Sequence, residues 1–171
     1  EVSVFGNAVA ISSGAATPSM TDHTDFGHVI HKQTGPSRTF TVRNDGNEPM
    51  PLGAVTVPTD FLLTDSWGAS ATLQPGETDT FTVQLDGNAR GGTKAGDVSF
   101  PVTGEFDEDP FLFAIVGIVD EPDLEISYDS AVAESGVSLD LGTSTEGAPI
   151  SRTLTVQNIG TAPLTLTNLF Q

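Results

Sequence analysis

The chain has 171 residues, of which 23 are acidic and six basic, giving a formal charge of −17. Such a charge repels nucleic acid and anionic headgroups, so no nucleic-acid binding and no membrane insertion are expected. The absence of cysteine excludes disulfides, thiol catalysis and thiolate metal sites.

Short segments whose apolar residues recur at every second position predict half-buried strands along the first two thirds of the chain. They fall near 2–5, 8–11, 38–43, 52–57, 60–64, 70–73, 79–85, 96–102 and 111–118, separated by turn dipeptides such as Gly35-Pro36, Asp45-Gly46, Pro75-Gly76 and Asp86-Gly87. In "TFTVR" Phe40 and Val42 share one face, and in "TFTVQL" Phe81, Val83 and Leu85 do. With Val98, Phe100, Phe113 and Ile115 these residues are the predicted core. No segment of ten residues carries a helical stripe. Strands of this length and spacing, in a unit of this size, read as an immunoglobulin-like antiparallel β-sandwich over 1–119.

"FLFAIVGIV" at 111–119 is far too short to cross a membrane. It reads as a strand apolar on both faces, with Phe111, Phe113, Leu112 and Val116 in alternation. That makes it the candidate for a donated or doubly covered strand. "DEPD" at 120–123 is then a linker, and the pattern restarts beyond it.

The restart is nearly verbatim. "SRTFTVRNDGNEP" at 37–49 returns as "SRTLTVQNIGTAP" at 151–163, with eight of thirteen positions identical. "EVSVFGNAVAISSG" at 1–14 is matched in shape by "DLEISYDSAVAESG" at 123–136, and "TDFG" at 24–27 by "LDLG" at 139–142. The first copy carries about seven extra residues around "ATPSMTDHTD". The shared segment reads as strand, turn, strand: Asn44 or Asn158 bonds its own turn and tolerates left-handed backbone, Gly46 or Gly160 supplies positive φ, and Pro49 or Pro163 starts the next strand. Leu154 and Val156 are expected in the places of Phe40 and Val42. The fold class is therefore all-β: tandem sandwiches, the second, 124–171, incomplete. Because it opens at Glu1, the chain is expected to be a processed piece of something longer.

The stretches "TDFG" at 24–27, "RTFTVRNDGNEPMPL" at 38–52, "LQPGETDTFTVQLDG" at 73–87 and "DPFLFAIVGI" at 109–118 resemble the bacterial choice-of-anchor D repeats, relatives of the ASPM–SPD-2–Hydin and PapD-like immunoglobulin-type domains. The resemblance implies a non-enzymatic module of exported or cell-surface proteins, strung in tandem. Neighbouring repeats, or neighbouring subunits that donate strands, are the implied partners.

No G-x-S-x-G elbow, phosphate-binding glycine loop, H-E-x-x-H or G-x-G-x-x-G motif occurs, so an enzyme is not expected. His23, His28 and His31 read as ordinary loop histidines rather than metal ligands. No cofactor is expected, and calcium is the candidate the acids leave open. One site would join Asp107, Glu108 and Asp109 to the linker acids Asp120 and Asp123, and a second choice uses Asp22 and Asp25. The competing reading is that these acids cap backbone amides. Trp67 and "DFLL" at 60–63 form either a ligand-facing patch or a buried edge of the sandwich. The expected interface is Leu154, Val156, Leu164, Leu166, Leu169 and Phe170, which the half-unit leaves without a facing sheet. A structural and interaction module of a stalk, adhesin or filament is thus the leading reading. A calcium-dependent ligand- or glycan-binding module is the alternative.

Overall fold

The computed structural model describes residues 1–104, 108–128, 131–136 and 138–167. Among them there is no helix. The chain divides into two compact units, Glu1–Asp120 and the part from Glu121 onward.

The first unit is an immunoglobulin-like β-sandwich. One layer is built from β1 (Val2–Gly6), β2 (Val9–Ile11), β4 (Ser37–Asn44), β6 (Phe61–Asp65) and β8 (Thr78–Leu85), in the order β2-β1-β4-β8-β6. The facing layer holds β3 (Asp25–Ile30), β10 (Phe111–Asp120) and β9 (Gly92–Phe100) in that order, with β5 (Met50–Gly53) paired to β7 (Ser70–Leu73). Bridges from Leu52 to Val102 and from Thr56 to Ser99 continue this layer from β9 to the β5 segment.

The core between the layers follows from strict alternation. On β4 and β8 every second residue is buried, and Phe40 lies directly opposite Phe81. All nine predicted core residues, Phe40, Val42, Phe81, Val83, Leu85, Val98, Phe100, Phe113 and Ile115, are fully buried. Phenylalanines tile the space at ring separations of 5.2 to 6.4 Å, the spacing that favours edge and offset contacts.

Two features differ from the sequence reading. The stretch 25–30, read there as loop, is a strand, and it pairs with β10 in parallel, as the single bridge from Ala15 to Phe113 also does, whereas the other strand pairings among the described residues are antiparallel. Its alternation is broken because Phe26 and Val29, three residues apart, are both buried. Gly27, at φ +72°, absorbs the extra residue as a bulge, and its amide donates to Asp25 Oδ1 at 2.8 Å. The second difference concerns β10. It is the middle strand of its sheet, paired on both edges and buried at every odd position, so it is not a strand available for donation. Leu112, Ala114, Val116 and Ile118 lie on its other face and are only half-buried, so the strand is covered on one side alone.

The second unit contains β11 (Leu124–Tyr128), β12 (Ala131–Val132) and β13 (Thr155–Asn158), in the order β12-β11-β13. Asp120 is not part of a linker, because it ends β10 and pairs with Ile30.

Candidate interaction surface

The second sheet repeats the β2-β1-β4 corner of the first unit residue for residue. Val2 faces Asn44 and Val4 faces Val42, just as Leu124 faces Asn158 and Ile126 faces Val156. Gly6 faces Val9 as Tyr128 faces Ala131. The offset is 122 residues for the first two strands and 114 for the third. The insertion in the first copy is therefore eight residues, close to the seven the sequence suggested. Val156 stands where Val42 does, and Leu154, one residue ahead of β13, is the counterpart of Phe40. A one-residue slip would have put the threonines on this face, and none has occurred.

The environments are opposite. Phe40, Val42, Met50 and Leu52 are 0 to 4% exposed. Of their counterparts Leu154, Val156, Leu164 and Leu166, Leu164 is half-buried and the others are 46, 38 and 42% exposed. Leu139 and Leu141, near the counterpart of buried Phe26, are exposed as well. In the first unit β8 covers the outer edge of β4, and β13 has no such neighbour among the described residues. Leu169 and Phe170, the last two interface residues expected, lie outside the described residues.

The duplicated turn, which in the first unit leads from β4 in one layer to β5 in the facing one, explains its own repeated residues, and not all as expected. Asn44, 1% exposed, accepts the Gly46 amide at Oδ1 (2.9 Å) and donates from Nδ2 to the carbonyls of Glu48 (2.8 Å) and Leu73 (2.9 Å). Asn158 accepts the Gly160 amide (3.1 Å) and donates to the Ala162 carbonyl (2.8 Å), the same two bonds. Neither asparagine is left-handed, and neither Gly46 nor Gly160 has positive φ. Glycine is required here for close approach. A Cβ on Gly46 would lie 2.9 Å from the Glu1 nitrogen, and one on Gly160 would overlap the Asp123 amide and the Glu121 carbonyl. The chain entering each unit crosses directly over this residue. Arg43 decorates only the first copy of this turn. Its guanidinium bonds Asp45 through two nitrogens (2.6 and 2.9 Å), which holds that carboxyl below the usual carboxylate range, and Gln157 and Ile159 replace the pair in the second.

The acids proposed for calcium are dispersed. Asp109 Oδ1 accepts the Val102 amide (3.1 Å), and it precedes β10 whereas Asp120 ends it. Ten strand residues separate the two by about 30 Å, so Glu108 and Asp109 do not share a site with Asp120. Asp120 instead meets His28 Nδ1 at 3.0 Å. Asp123 belongs to the second unit, where its amide donates to Asn158, and Asp107 lies outside the described residues. Asp22 Oδ1 takes the Thr24 amide (3.1 Å) and hydroxyl (2.6 Å), and Asp25 Oδ1 takes the Gly27 amide. These are backbone caps. Among the described residues no three His, Asp or Glu side chains converge as a metal would require, the histidines included.

Trp67 is partly buried and packs against the core. Its ring meets those of Phe81 and Phe100 edge-on at 5.6 and 5.5 Å, and Nε1 donates to the Gly53 carbonyl at 2.9 Å. Of "DFLL", Phe61 is buried while Leu62 and Leu63 remain exposed on the edge strand β6. Trp67→Phe, which keeps the aromatic packing but orphans the Gly53 carbonyl, should lower the stability of the first unit by about 1–2 kcal/mol, measurable by urea unfolding.

No family model and no curated protein matches this chain. Solved structures with similar folds include a protein of unknown function from Porphyromonas gingivalis, 15% identical over 80% of this chain and 62% of its own, with a TM-score of 0.42. The periplasmic chaperone SfaE is 11% identical over 70% of this chain and 58% of its own, also at 0.42. The Vibrio cholerae VesB protease is 17% identical over 56% of this chain and 30% of its own, at 0.37. This chain thus spans less than two thirds of the length of each of these structures. No helix among the described residues is long and apolar enough to cross a membrane.

Proposed function

We propose that this chain is a non-catalytic structural and interaction module of an extracellular or cell-surface repeat protein, a stalk, adhesin or filament subunit. In this reading its second unit is completed by strands from a neighbouring repeat or a neighbouring subunit. One observation supports it above the others: the three strands of the second unit reproduce the register of β2-β1-β4, yet the side chains that the first unit buries are exposed in the second. Burying each such side chain is worth roughly 1.5–3 kcal/mol, and an uncovered sheet edge pairs readily with other strands. The first unit specifies what the missing element looks like. It is a strand of the β8 type, antiparallel to β13, with apolar residues at every second position. The cell-surface setting and the tandem arrangement rest on the resemblance to choice-of-anchor D repeats. Nothing in the geometry favours the calcium-dependent alternative, since the carboxylates it needs are spent on backbone amides or separated by the length of a strand.

Sedimentation velocity combined with amide exchange tests this reading. The chain should self-associate as concentration rises, and Val156→Asp should suppress association without changing the first unit. Amides of 124–128 and 155–158 should exchange far faster than those of β4 and β8. A strictly monomeric chain whose second sheet is as well protected as the first would overturn the proposal.

A further inference from the structure

In the second unit the incoming chain is clasped by the turn that follows β13. The Glu121 carbonyl accepts the amides of Thr161 (2.9 Å) and Ala162 (3.3 Å), and the Glu121 amide donates to Thr161 Oγ1 (3.2 Å). Pro122 then passes over Gly160, and the Asp123 carbonyl accepts the Ile159 amide at 2.8 Å.

The first unit has a clasp of the same build. The Asp45 amide donates to the Glu1 carbonyl at 2.9 Å, the counterpart of the Ile159–Asp123 bond, so Glu1 stands in the place of Asp123. Asn47 and Glu48 then correspond to Thr161 and Ala162. Their amides have no acceptor among the described residues. They line a cleft of about 260 Å³ together with Glu1, Met50, Thr103 and Gly104. Its lining offers two main-chain donors side by side, as the second clasp does for Glu121. Asn47 carries an amide where Thr161 has its hydroxyl, so an acceptor for an incoming N–H is retained in kind.

We propose that this cleft is a docking site for an extended X-Pro segment placed ahead of Glu1, the end of a preceding immunoglobulin-like unit. The carbonyl of X would accept the Asn47 and Glu48 amides, and the proline would cross Gly46. Proline suits the crossing. It needs no partner for an amide hydrogen, and it holds the residue before it extended, the conformation that presents a carbonyl to both donors. The inference rests on the tandem-repeat reading above.

The test adds a leader to the full chain. One version carries Val-Asp-Glu-Pro, copying 119–122, ahead of Glu1, and the other carries Gly-Ser-Gly-Ser. Amide exchange at Asn47 and Glu48 is followed by NMR. The first leader should slow both amides about tenfold or more and raise the melting temperature of the first unit, because a segment that binds only the folded form stabilises it. Free acetyl-Val-Asp-Glu-Pro-amide should protect them only at high concentration, since it lacks the tether. No slowing with either leader, or equal slowing with both, would overturn the assignment. Slowing in a chain whose second unit proves monomeric and protected would uphold the clasp and reject strand completion, so the two proposals fail separately.

Discussion

Phe81→Ala is expected to destabilise the first unit by about 3–5 kcal/mol, enough to lower its melting temperature by about 10–20 °C. Phe81 is fully buried, and its ring meets Phe40 at 5.3 Å, Trp67 at 5.6 Å and Phe100 at 6.0 Å. Both layers line the hole that truncation leaves. Neither can move in to fill it without breaking its hydrogen-bonded ladder, so the full cavity cost is felt. Such a loss is a large part of the 5–15 kcal/mol that holds a typical domain together. Trp67 is the only tryptophan, so its fluorescence reports this unit alone. Thr80→Ala, one position away on the exposed face, should stay within about 0.5 kcal/mol. A Phe81→Ala cost below about 1 kcal/mol would mean that β8 does not sit in this register.

The sandwich was legible because its central strands obey a period of two without exception. Phe40, Val42, Phe81, Val83 and Leu85 could be assigned inward from their spacing, and the structure buries each of them. Strand β3 escaped because a single bulge at Gly27 moves Phe26 and Val29 out of phase, and a search for alternation then sees only polar residues and histidines. The apolar outer positions of β10 invited a reading as a donated strand. Sequence alone does not distinguish a strand covered twice from one that is central in its own sheet with a half-buried outer face. The duplicated Asn-x-Gly was read correctly as a turn that ends a strand, but for the wrong reason at glycine. Positive φ is a local property and easy to suppose, whereas the crossing of Gly160 by Glu121–Pro122 brings together residues about 40 positions apart. A hint was present in the "DEPD" stretch, whose proline and acids looked like a linker and nothing more. The calcium reading joined Glu108 and Asp109 to Asp120, which stand at opposite ends of β10. Acids that flank a strand are close in the sequence and about 30 Å apart in space.

Asn44 and Asn158 offer a direct comparison of the two units. Asn44→Ala removes a buried side chain that satisfies one amide and two carbonyls, and leaving these unpaired should cost about 2–4 kcal/mol, read from Trp67 fluorescence during urea unfolding. Asn158→Ala removes bonds of the same chemistry, to Gly160, Ala162 and the Asp123 amide, but from an exposed position where water replaces them. Its cost should stay below about 1 kcal/mol, followed through Tyr128, the only tyrosine, with the Trp67 transition unmoved. Among the described residues Asn158 has no counterpart of the bond that Asn44 makes to the carbonyl of Leu73, the last residue of β7, 29 residues further along and just ahead of β8. A strand that completes the second unit in the manner of the first would bring such a carbonyl to Asn158 and bury the side chain between them. Asn158→Ala should then become as costly as Asn44→Ala in any longer chain or assembly that supplies that strand. If the two costs stayed as far apart there as in the chain alone, the second unit would be completed differently from the first, or not at all.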